Sequence, residues 1–106
     1  MHPDIVKLLK CMNEAIELLQ SVKEKHWSAW LANDAALIEK RDFLGIEHLL
    51  SAFGGMGSIN DLVIHPINGH EVLDFAVDKT NRILQEILGE IWSLAKELYN
   101  DEIQAK

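Results

Sequence analysis

Ile5, Leu8, Leu9, Met12, Ile16, Leu19 and Val22 recur every three or four residues, with Lys7, Lys10, Glu14, Glu17 and Lys23 between them. This is the repeat of a helix that buries one face. Pro3 suits a first helical turn, where a missing N–H costs nothing, and Asp4 suits the positive end of the helix dipole. The pattern predicts a helix over residues 3–24. A second helix is predicted from His26 to Lys40, with Trp27, Trp30, Leu31, Leu37 and Ile38 apolar and the bases Lys40 and Arg41 at its negative end. Asp42 can cap a short third helix that carries Phe43, Ile46, Leu49, Leu50 and Phe53, and Gly54-Gly55 stops it.

Residues 54–69 are the least regular stretch, yet Met56, Ile59, Leu62, Val63, Ile64 and Ile67 make them apolar. A long apolar loop is expected to pack on the core and to contain a helical turn. Ser58-Ile59-Asn60-Asp61 has the form of a capping box and places that turn at 58–64. From His70 onward, Val72, Ala76, Ile83, Leu84, Ile87, Leu88, Ile91, Leu94, Ala95 and Leu98 keep helical spacing for nearly thirty residues. Such a helix is about 45 Å long, whereas a compact domain of this size is only about 33 Å across. It must therefore bend or break near Thr80-Asn81 or Gly89, or its end must project. Residues 101–106 are polar and expected to fray. The fold class predicted is all-α: one domain over residues 1–106, a bundle of four or five helices with a long C-terminal helix.

A chain of 106 residues with 48% hydrophobic content can bury a core unaided, and its single cysteine, Cys11, excludes an internal disulfide. No apolar run reaches the ~18 residues of a membrane span, and Met1-His2-Pro3-Asp4 is not the basic start of a signal peptide. A cytoplasmic location and no membrane contact are expected. The charge map says more than its total of −7. Residues 1–41 carry six acids and six bases, residues 42–78 carry six acids and neither Lys nor Arg, and the remainder carries five acids against four bases. A base-free segment of that length repels phosphate backbones, so no direct nucleic-acid partner is expected. A basic protein partner is what it attracts.

Five histidines among 17 acids invite a metal reading, but H-E-x-x-H, C-x-x-C and helical E-x-x-H spacings are all missing. Glu47 and His48 are neighbours that face apart on a helix, and His65, His70, Glu71 and Asp74 converge only if the loop brings them together. No metal and no cofactor are expected, and the histidines read as solvated or bonded within loops. Gly54-Gly55-Met56-Gly57-Ser58 lacks the lysine of a phosphate-binding loop and follows a helix instead of a strand. Cys11 has Lys7 and Lys10 nearby, a mild reason for a lowered pKa, and no evident His or acid to serve it. Without a catalytic constellation, enzyme activity is not expected. Trp27 and Trp30 share a helix face and read first as core, with an interface as the other reading. On the long helix, Glu71, Asp74, Asp78, Arg82 and Gln85 form a stripe opposite the aliphatic face, with Phe75 beside it. Either the preceding loop buries Phe75, or Phe75 is an exposed aromatic among carboxylates, the composition of an anchor for a basic partner.

Trp27-x-x-Trp30-Leu31, Asp42-Phe43-Leu44-Gly45-Ile46 and Leu49 to Leu62, with Gly-Gly-Met-Gly-Ser-x-Asn-Asp at residues 54–61, resemble a family of small bacterial proteins without assigned enzymatic activity. Such short, acidic, single-domain chains look like immunity proteins of contact-dependent or other polymorphic toxin systems. The resemblance implies a protein that binds and neutralises a toxin domain. Together with the base-free segment, the expected function is inhibition of a cognate basic toxin domain, expected to be an RNase, by an acidic face laid over its active site. Glu71, Asp74 and Asp78 are the leading contacts, with Phe75 as anchor and Glu47 and Asp61 behind them. The alternative is a homo-oligomeric helical scaffold or regulator, such as a homodimer, with no toxin partner.

Overall fold

The computed structural model describes residues 2–105. Four α-helices, α1 (Pro3–Ser21), α2 (Lys25–Glu39), α3 (Leu44–Ser51) and α4 (Val77–Ala105), form an all-α bundle, and three short 3-10 turns interrupt the segment between α3 and α4. Among the described residues there is no strand.

The first two helices end in the same way. Lys23 and Arg41 adopt left-handed backbone angles, φ 64° and 61°. At the first corner the Lys23 N–H donates to the Gln20 carbonyl and the Glu24 N–H to Leu19, while at the second Arg41 donates to Ile38 and Asp42 to Leu37. These are paired Schellman closures, made here with residues other than the usual glycine. Glu24 at once becomes the cap of α2, its Oε2 accepting from the Trp27 N–H at 2.9 Å. Asp42 Oδ1 accepts from the Leu44 N–H at 3.0 Å, but the cap position of α3 is Phe43, which makes no side-chain cap bond, so Asp42 closes the turn into α3 and is not the cap its sequence suggests. Gly45 lets α3 lie against α2, since a Cβ there would stand 2.9 Å from side-chain carbons of Leu37 and Ile38.

The core sits between α1 and α4. Leu8, Met12, Ala15 and Leu19 from one helix meet Leu84, Leu88, Ile91 and Ala95 from the other, with Leu31, Ala35 and Ile38 of α2 and Ile46 and Leu49 of α3 closing the sides. Trp27 and Trp30 are partly buried against it, with ring centroids 5.2 Å apart.

The long helix and Cys11 differ from expectation. The long helix does not begin at His70: residues 70–73 have no regular secondary structure, a 3-10 turn covers Asp74–Ala76, and α4 starts at Val77. It also runs uninterrupted through Thr80-Asn81 and Gly89. The length conflict is resolved by the shape of the bundle, which stretches to 48 × 25 × 19 Å with a radius of gyration of 14.1 Å, against about 13 Å for a compact chain of this length. Nor is the end of α4 a free arm. Leu98 is buried and Tyr99 stacks on Phe43 with centroids 5.8 Å apart, leaving only the last turn, with half-exposed Ile103, beyond the core. Cys11 is buried and its thiol donates to Glu90 Oε2 at 3.3 Å. Burial first, and then this carboxylate, push the thiol up to about 11, so it is no activated nucleophile.

Candidate functional site: an anchored acidic strap

Residues 54–76 cross the bundle as a strap held at three places. The first is the glycine turn. Asn60 Oδ1 accepts from the Gly54 N–H at 3.2 Å and from the Ser58 hydroxyl at 2.6 Å, and Asp61 Oδ2 accepts from the Gly57 N–H at 3.0 Å. Gly57 has φ 82°, a conformation that favours glycine. The polar residues of the motif are thus used to close the turn, and Ile59 beneath them is fully buried. This replaces the expected capping box. Ser58 makes no side-chain cap bond, and the helical turn is confined to Ile59–Asp61 instead of 58–64.

The second anchor is Asn81 on α4. Its Oδ1 accepts from the Ile64 N–H at 2.7 Å and its Nδ2 donates to the Ile64 carbonyl at 2.8 Å, gripping both backbone groups of a fully buried residue. The third is the α1–α2 corner. His70 Nδ1 accepts from the His65 N–H at 3.1 Å, which places the ring proton on Nε2, 3.1 Å from Glu24 Oε1. The Glu71 N–H donates to the Val22 carbonyl at 2.9 Å. Burial alone would raise the Glu24 pKa. The Trp27 N–H and then His70 outweigh it, so this carboxyl lies below the ordinary glutamate range.

Along its length the strap turns apolar side chains to solvent. Phe75 is 86% exposed, Ile67 84% and Leu73 65%, while Met56 is fully open and Val63 half-exposed. The loop therefore does not bury Phe75. Before the 3-10 turn, Val72 packs on the core while Glu71 and Leu73 on either side of it are exposed. Asp61, Glu71, Asp74 and Asp78 are all exposed. Their placement differs from one helical stripe: Asp61 closes the glycine turn, Glu71 stands at the α1–α2 corner, Asp74 and Phe75 share a 3-10 turn, and Asp78 lies in the first turn of α4. Glu47 is exposed on α3, outside the strap.

A family model described as a domain of unknown function, DUF6966, matches residues 20–73, half of the chain. The chain belongs to the DUF6966 family. The DUF6966 match runs from the end of α1 to Leu73, so it takes in the α1–α2 corner, α3 and most of the strap, and stops before α4. No curated protein and no solved structure matches the chain.

Within the DUF6966 region the structure also makes a contact that sequence spacing hides. Asp34, completely buried, places Oδ1 2.5 Å from His48 Nδ1, and the His48 ring, partly open to solvent, stacks on Trp30 at 4.3 Å. Asp34 Oδ2 and Trp30 Nε1 are buried without a hydrogen-bond partner. Burial raises the Asp34 pKa; His48, and the Trp30 N–H acting at a distance or angle too poor for a bond, only partly offset it. Fourteen residues separate the pair, and only the α2–α3 turn-back brings them together. Among the described residues, no group of three or more His, Cys, Asp or Glu is placed to hold a metal ion, and no helix is long and apolar enough to cross a membrane.

Proposed function

We propose that the protein is an immunity protein that binds a cognate basic toxin domain, an RNase in the first instance, and blocks it. The observation that carries this reading is the strap. Asp61, Glu71, Asp74 and Asp78 and the aromatic Phe75 are all exposed within a segment, residues 42–78, that holds no Lys or Arg. Carboxylates displayed in this way take the place of the phosphates that an RNase cleft attracts, speeding encounter and neutralising the cleft once docked. The same charge argues against self-association through the strap, because a two-fold contact would set carboxylate against carboxylate.

The test is co-purification with the product of the adjacent reading frame, a toxicity assay with that product, and charge reversal by Asp74→Lys with Asp78→Lys. Association should slow by about ten- to a hundredfold at low salt, with protection lost. Asp78→Lys also places a base in the first turn of α4, at about 0.3–1 kcal/mol, so the melting curve is recorded alongside. Unchanged binding and protection by a folded double variant refutes the electrostatic account.

A further inference from the structure

We propose that the strap is a preformed apolar recognition element, and that its partner offers an apolar cleft bordered by Lys and Arg. This rests on the immunity reading above but moves the source of lasting affinity from the carboxylates to Ile67, Leu73 and Phe75. These three side chains are the large apolar groups most open to solvent between the second and third anchors and the start of α4. Exposed residues of this kind on mobile loops gain little on binding, because ordering the loop offsets the contact. Here the backbone is already fixed on both sides. Asn81 grips Ile64 upstream of Ile67, and His65, His70 and Val22 hold the chain between Ile67 and Leu73. A hydrogen bond from Asn68 Nδ2 to the Val63 carbonyl at 3.0 Å and one from the Ile67 N–H to His65 Nδ1 at 3.0 Å set the turn that carries Ile67. The Ala76 N–H donates to the Leu73 carbonyl at 2.8 Å and sets the one that carries Phe75.

The partner's chemistry follows from what flanks these groups. Glu71, Asp74 and Asp78 are interleaved with Leu73 and Phe75, and no Lys or Arg lies between Arg41 and Lys79. An apolar cleft with an acidic border would leave those carboxylates opposed and partly desolvated, whereas a cationic border pairs them. A second copy of this chain carries the same acids and fits poorly.

The two contributions separate in kinetics, since exposed charges govern encounter and buried apolar contacts govern dissociation. The experiment measures association and dissociation rates of the full chain with the separately purified product of the adjacent reading frame, at two salt concentrations. The variants are Ile67→Ser with Phe75→Ser, and Asp74→Asn with Asp78→Asn. The apolar pair is expected to raise the dissociation rate about a hundredfold or more and to leave association within about twofold. The carboxamide pair is expected to slow association, flatten its salt dependence and leave dissociation nearly unchanged. If the apolar pair leaves dissociation within about threefold of wild type while the carboxamide pair abolishes binding, the inference fails and the acidic-face reading stands. If wild type does not bind that product at micromolar concentration, both fail. If light scattering finds a dimer that the apolar pair dissolves, the strap is a self-interface and the inference is overturned.

Discussion

Replacing Asn81 with alanine removes the grip on Ile64 and leaves its N–H and C=O without their partners. A third bond, from Nδ2 to the Val77 carbonyl at 2.9 Å, is local to α4, where that carbonyl faces the next helical turn in any case, so it is left out of the sum. An orphaned buried backbone group costs about 1–3 kcal/mol. Asn81 is only half-buried, so water can reach the vacated space and the low end applies, about 2 kcal/mol for the two groups together. Alanine returns about 0.5 kcal/mol through its better helix propensity. The net loss is about 1.5 kcal/mol, or roughly 6–12 °C in Tm for a domain of this size. Urea unfolding followed by far-UV circular dichroism measures the loss, and hydrogen exchange at the Ile64 amide reports the strap alone. The helices should persist while that amide loses protection. A loss under about 0.5 kcal/mol, or an Ile64 amide as protected as in wild type, refutes the clamp as the anchor of the strap.

Two glycines give opposite expectations in thermal melts. Gly45→Ala drives a Cβ to 2.9 Å from Leu37 and Ile38 and should cost about 1–3 kcal/mol, whereas Gly89→Ala meets nothing within 4 Å and should gain up to about 1 kcal/mol. Equal effects at the two sites would refute the close approach of α3 to α2. Because the Glu24 pKa is lowered on folding, its contribution is present above the unfolded carboxylate range, about 4.3, and is lost as pH falls through its lower folded value. The stability difference between wild type and Glu24→Gln should thus be largest near pH 7 and shrink towards pH 3; a constant difference in equilibrium unfolding would contradict it. Asp34 has the opposite sign. Its raised pKa means that its favourable contribution belongs to low pH and is lost as pH rises through the folded value. Asp34→Asn should accordingly be no less stable than wild type at pH 7, and a loss above about 1 kcal/mol there would show the His48 pairing outweighing desolvation.

Helix existence was readable wherever apolar residues kept a strict period, as along Leu8 to Leu19 and Leu84 to Leu98, because burial of one face dictates both the spacing and the element. The start of α4 departs from this period for a related reason. Val72 and Ala76 satisfy helical spacing, but Val72 lies in a non-helical stretch tied by His70 and Glu71 to the α1–α2 corner. Those partners lie in a distant part of the chain, where no local pattern reaches. The same holds for Asp34 with His48 and for Asn81 with Ile64, each a polar contact between elements. The acids of the candidate site were legible as a run without bases, and Phe75 as the odd aromatic beside them. Ile67, Leu73 and Met56 were not, since a loop rich in apolar residues is ordinarily buried. The signal that could have found them is the excess itself: the strap has more large apolar residues than a single crossing of the bundle can cover.

The pairing of α1 with α4 has a consequence for synthesis. Leu8, Met12, Ala15 and Leu19 leave the ribosome early, but the side chains that cover them, Leu84, Leu88, Ile91 and Ala95, are made some seventy residues later. Until then α1 and α2 form at most a hairpin with one face bare, and Ile64 has no Asn81 to hold it. During synthesis the strap therefore cannot take its displayed form before α4 docks. Loss of its Asn81 anchor is expected to speed unfolding and to leave the folding rate nearly unaltered.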